Sequence, residues 1–118
     1  MKQQILLSIA IITTFYACSS INAQKETASC IQQKIEEFKI QPVTNPPMSV
    51  FQYTYNDQRV YYISAPCCDR YTILYDENCT IICHPSGGII GKGDGKCSDF
   101  FEKRTDEKLI WTDNRKSK

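Results

Sequence analysis

Residues 67–97 read CCDRYTILYDENCTIICHPSGGIIGKGDGKC. The stretch holds five of the seven cysteines, all five glycines and the only histidine. From Gly87 to Gly95 the run GGIIGKGDG predicts a loop that turns sharply more than once, because glycine reaches positive φ without steric cost. Such a loop loses much backbone entropy on ordering and buries little side chain to offset it. Cys83 just before the loop and Cys97 at its end are the natural staples. The fold therefore turns on whether these sulfurs are oxidised.

The N-terminus argues that they are. Lys2 and the apolar run Ile5 to Tyr16 form an export signal, too short to span a bilayer comfortably. Phe15-Tyr16-Ala17-Cys18 resembles a lipobox, giving a signal peptide 1–17 and a lipidated Cys18. Ile21-Asn22-Ala23 is an alternative cleavage site, giving 1–23. Either way Cys18 is modified or removed, and six cysteines remain: Cys30, Cys67, Cys68, Cys79, Cys83 and Cys97. An even number in a short exported chain reads as disulfides, up to three, with fifteen pairings open. Adjacent Cys67 and Cys68 are expected to take different partners. Extended at about 3.3 Å per residue, Cys79 and Cys83 stand about 13 Å apart, beyond disulfide reach. The preferred set is Cys30 with Cys67 or Cys68, the other of that couple with Cys83, and Cys79 with Cys97.

The 118 residues support one domain, with 42% hydrophobic and 23% charged positions. Lysine and arginine number 14 against 13 acids, and removing Lys2 with the leader leaves an even balance. A balanced chain without a basic cluster argues against nucleic acid.

Along the chain, residues 18–28 read as a tether. Ser29 with Gln32 fits a capping box opening a helix. Ile31, Ile35 and Phe38 form its apolar stripe, and Pro42 stops it. After a proline-rich connector, Val50 to Ile63 predicts a hairpin turning at Asn56-Asp57, with Phe51 opposite Tyr62 and Tyr53 opposite Val60. Tyr71 to Tyr75 and Thr80 to Cys83 predict two further strands, and Lys108 to Trp111 a short last one. Residues 113–118 read as a flexible tail. The fold class is α+β: one N-terminal helix packed on an antiparallel meander of four to five strands, a single disulfide-stapled domain over 29–112. The helix is expected to cover one side of the sheet and leave the other polar.

Several chemistries fit poorly. A P-loop needs glycine five residues before Gly91-Lys92, where Ser86 stands, and a hydroxyl where Gly93 stands. Zinc needs reduced thiolates, which the export signal opposes. Calcium suits the oxygens of Asp94 and Asp99, with Asp69, Asp76 and Glu77 converging, but the spacing is not that of an EF-hand. No cofactor and no metal are expected. His84 with Asp94 or Asp99 is the one arrangement open to a small hydrolase or metal-dependent enzyme.

The residues Val60-Tyr61-Tyr62-Ile63, Cys67-Cys68-Asp69, Leu74-Tyr75-Asp76-Glu77-Asn78-Cys79, Ile82-Cys83-x-Pro85-x-Gly87-Gly88, Gly91-x-Gly93-Asp94-Gly95-x-Cys97 and Trp111-x-Asp113-x-Arg115 resemble a family of small bacterial envelope proteins known only as a domain of unknown function. The resemblance spans about Cys30 to Arg115 and implies an extracytoplasmic, often lipid-anchored domain without an assigned activity. Ile89-Ile90 departs from the pattern, which has an aromatic and a small polar residue there. The helix-then-meander layout is similar, more loosely, to PepSY-like and β-lactamase-inhibitor-like domains.

The functional expectation is a non-enzymatic binding or inhibitor-like module in the cell envelope, periplasmic, secreted or held at the outer membrane by lipid on Cys18. It would take a protein or glycan through the loop residues His84, Ser86, Gly87, Gly88, Gly91, Gly93, Asp94 and Gly95. A rigidly clamped, exposed loop presents a recognition surface at low ordering cost. A purely structural or stress-related lipoprotein is the remaining alternative.

Overall fold

A computed structural model describes residues 26–67 and 69–117; the expected leader, the lipidation position Cys18 and Cys68 lie outside the described residues. The elements are α1 (Ser29–Lys39), β1 (Ser49–Tyr55), β2 (Gln58–Ile63), β3 (Ile73–Tyr75), β4 (Ile81–Cys83), α2 (Phe100–Lys103) and β5 (Thr105–Thr112). The strands form one five-stranded sheet in the order β4-β3-β2-β1-β5. The fold is α+β, as the sequence implies.

The hairpin sets the frame. Asn56 and Asp57 both adopt positive φ, and β1 pairs with β2 with Phe51 opposite Tyr62 and Tyr53 opposite Val60. Because a strand's side chains alternate, this register sorts the apolar residues into two sets. Val50, Tyr61, Ile63 and Tyr75 face one way, and Tyr53, Tyr55, Val60 and Leu74 face the other.

α1 covers the first face. Ile31 and Ile35 are buried, and Phe38 stacks on Trp111 of β5 at 6.2 Å. The capping box does not form. Ser29 is already helical, Ala28 is the cap without a side-chain bond, and Gln32 reaches back to the Thr27 carbonyl. The helix start is fixed instead by Tyr61, whose buried hydroxyl accepts the Ala28 N–H at 3.0 Å.

The second face is not left polar. Residues 84–104 fold over it, and fully buried Phe100 meets Tyr53, Tyr55 and Tyr62 at 5.4–5.8 Å. The short helix α2, absent from the sequence reading, sets this ring in place. The Tyr55 hydroxyl donates to Asp99 at 2.6 Å, and the Tyr53 hydroxyl donates to Glu107 and accepts from Arg104. Burial, together with the bond to Glu107, pushes the Tyr53 pKa up to about 12. One helix leaves one face of an aromatic-rich sheet wet, and the chain uses its own second half to cover it.

β5 is longer than expected and does not extend the meander. It returns to the opposite edge and pairs with β1. Residues 113 and 115, read as part of a frayed tail, are anchored. Asp113 is buried and pairs with Arg115 at 2.8 Å. The Arg115 guanidinium also donates to the carbonyls of Phe38, Lys39 and Gln41. A helix C-terminus presents unpaired carbonyls, and a planar cation with several donors satisfies them.

The disulfides differ from the expected pairings. Cys30 bonds to Cys79 and Cys83 to Cys97, each with Cα atoms 6.1 Å apart. Cys67 is disulfide-bonded as well. The first bond ties α1 to the turn after β3 on one face; the second ties β4 to the loop end on the other. Pairing follows which face each cysteine reaches, which spacing along the chain does not encode.

Candidate functional site

The loop from His84 to Lys96 leaves β4 at Cys83 and returns at Cys97, and both sulfurs are buried. Its stem is a small ladder. The Thr72 N–H donates to the Ser86 carbonyl at 3.1 Å, and the Thr72 hydroxyl lies 3.0 Å from that of Ser86. This explains why β3 begins at Ile73 rather than Tyr71: the preceding residues pair with the loop.

The loop closes on itself. Gly91 N–H donates to the Gly88 carbonyl, Gly93 N–H to Gly87 and Asp94 N–H to His84. Asp94 completes the closure. One carboxylate oxygen accepts the His84 N–H at 3.1 Å and the other the Lys96 N–H at 3.0 Å. Burial pushes the Asp94 pKa up, but the amides of Lys96 and His84 outweigh it and hold the carboxyl below the ordinary value.

Two glycines are required by space as well as by φ. A Cβ on Gly87 would overlap the Arg70 carbonyl oxygen, and one on Gly93 the His84 carbonyl oxygen. The Tyr71 ring lies against Gly88 and 5.0 Å from the His84 ring. Above this base stands the tip, Ile89 and Ile90, 93% and 80% exposed. The sequence places Tyr71 in a strand, as one of several aromatics of which a few could face a partner. The apolar pair Ile89-Ile90 within an otherwise glycine-rich and polar loop was the available signal for the tip.

The loop residues named from the sequence therefore lie together. Gly91 and Gly95 stand at open positions with positive φ, Ser86 is in the stem, and His84 is at the base. His84 and the two aspartates are engaged at separate points. The His84 ring nitrogen Nδ1 lies 2.9 Å from the Thr72 carbonyl, whereas Asp94 holds the His84 main chain. Asp99 faces Tyr55 and Lys103. The broad cleft of about 830 Å³ between Gln41–Asn45 and Pro66–Arg70 contains none of the three. The oxygens considered for calcium are dispersed. Asp76 accepts the amides of Asn78 and Thr80, and Glu77 lies 3.7 Å from Arg59. Among the described residues no three His, Cys, Asp or Glu side chains are grouped to hold a metal ion. No helix among them is long and apolar enough to cross a membrane.

Residues 36–113 match the family model described as Domain of unknown function (DUF6970), and the chain belongs to that family. The matched span contains β1 to β5 and the whole loop, and begins after Cys30. No curated protein and no solved structure matches the chain.

Proposed function

We propose that the chain, as a member of this family, is an exported, non-enzymatic recognition module of the cell envelope whose working part is the loop 84–96. One observation carries the reading. Two neighbouring isoleucines stand almost fully in solvent on a loop fixed by a disulfide, a carboxylate clamp and two packed glycines. An adjacent pair of exposed isoleucines gains free energy when a partner covers it, and a pre-ordered loop binds without a further ordering cost. The two disulfides and the bonded Cys67 support an oxidising compartment, hence export.

Aromatic side chains add little to an exposed surface. Tyr53, Tyr55, Tyr61 and Tyr75 are buried, leaving Tyr71 beside the loop and Phe101 on α2 as the exposed rings among the described residues. The hydrolase alternative is weakened because the Asp94 carboxylate is occupied by backbone amides.

The test is a photo-crosslinking residue in place of Ile90, expressed in cells. A defined adduct at the tip is expected, and its loss when residues 87–95 are scrambled. Absence of any adduct leaves a purely structural protein. A changed substrate profile on His84→Ala would return the enzyme reading.

A further inference from the structure

Resting on the reading of the loop as the recognition element, we propose that its tip inserts into the interfacial layer of an anionic phospholipid bilayer. Four features of the loop point to that occupant. The tip is convex and small, two adjacent isoleucines at a turn, suited to a soft apolar phase. Its stem is closed by bonds from the Gly87 N–H to the Gly91 carbonyl, from the Gly91 N–H to Gly88 and from the Gly93 N–H to Gly87, so the turn reaches a low-dielectric layer with those groups already bonded. The Tyr71 ring, 46% exposed against Gly88, forms a collar where an amphipathic ring favours the headgroup level.

The charge around the tip has the matching sign. Lys92 follows the turn, and Lys96 ends the loop. No acid occurs from His84 to Gly93. The first, Asp94, is bonded to two backbone amides, and the loop sets two lysines against this one carboxylate. Basic residues next to an inserted apolar tip gain from an anionic leaflet and lose that gain as salt rises. Two isoleucines alone give weak, reversible partitioning, so the tip serves as an orienting contact rather than a sole anchor.

The test uses the mature chain from Gln24 onward, which lacks both the apolar leader and any acyl group on Cys18, oxidised and mixed with vesicles. One set is phosphatidylglycerol with phosphatidylcholine, the other phosphatidylcholine alone. Three chains are compared by sedimentation: the unaltered tip, Ile89→Ser with Ile90→Ser, and Lys92→Gln. Intact mass before and after reduction confirms that each retains its disulfides; the tip side chains stand outside the core.

Partitioning onto anionic vesicles is expected to fall about tenfold or more in the double-serine chain. Lys92→Gln should lower it about fivefold on the anionic set and leave the neutral set unchanged. Equal partitioning of the native and double-serine tips, or no partitioning of the native tip, overturns the lipid assignment. If the Ile90 crosslinker then captures a protein, the loop remains a recognition element for protein. If it captures neither protein nor lipid, both readings fall.

Discussion

Asp94 holds His84 by the main chain, its carboxylate accepting the backbone N–H at 3.1 Å while the imidazole lies 2.9 Å from the Thr72 carbonyl. The two side chains closest to a catalytic pair in the sequence thus secure two different joints of one loop. Replacing Asp94 by alanine frees two amides and unties residues 84–96 between their staples. Proteolysis of the folded, oxidised variant should occur within that segment several-fold faster than in the unaltered chain, as read by mass spectrometry of the nicked products. Unchanged cleavage means that the disulfide alone orders the loop.

Acid should weaken the same joints. Asp94 is held low by the amides of Lys96 and His84 against burial, Asp99 chiefly by the Tyr55 hydroxyl, and Asp113 chiefly by Arg115. Each has a folded pKa below its ordinary value of 3.8. The unfolded chain therefore takes up protons first as pH falls. The stabilisation is complete above about that value and is lost as pH drops through the depressed folded values. Melting midpoints between pH 6 and 2 should decline on the acid side. Asp113→Asn should start lower at neutral pH and decline less. Parallel curves would remove Asp113 from the account.

The two described disulfides should differ in weight. Cys30 and Cys79 are 49 residues apart and Cys83 and Cys97 only 14. Loop-closure entropy in the unfolded chain gives about 4 kcal/mol for the longer span and about 3 kcal/mol for the shorter. Denaturant titration of Cys30→Ala with Cys79→Ala, against Cys83→Ala with Cys97→Ala, should show the larger loss for the first pair. The second should show the larger rise in hydrogen exchange across residues 84–96.

The glycines separate into two kinds. Gly91 has positive φ but open space, so Gly91→Ala should cost about 1–2 kcal/mol. Gly87 has positive φ and a backbone carbonyl in the way, so Gly87→Ala should cost about 3 kcal/mol or more, since the backbone itself must shift. Thermal unfolding of the two variants measures the difference, and equal losses would mean that the Arg70 segment yields freely.

What the chain announces about itself is local. The 56–57 turn, the Phe51–Tyr62 register and the Ile31–Ile35–Phe38 stripe follow from periods of two and 3.6 and from turn chemistry. The boundaries of the glycine loop follow from composition. What stays hidden is decided across the fold. Cysteine partners depend on which sheet face each sulfur reaches. α2 is four residues long, too short for a periodic pattern, and is held by Phe100 packing on rings from β1 and β2. The place of β5 beside β1, and Arg115 at the end of α1, join residues more than 50 positions apart. The tip was visible as two isoleucines, but its collar was not, because Tyr71 meets Gly88 only once the stem has formed.

The strand order β4-β3-β2-β1-β5 also bears on how the chain is made. The fifth of these strands to be made is inserted next to the first, so β1 carries an open flank until β5 has been made. A copy broken off before Thr105 keeps its hairpin but presents an unsatisfied ribbon edge, with Val50 and Phe51 left without their strand partners. Incomplete copies of this protein are therefore prone to stack into aggregates or to attract proteases.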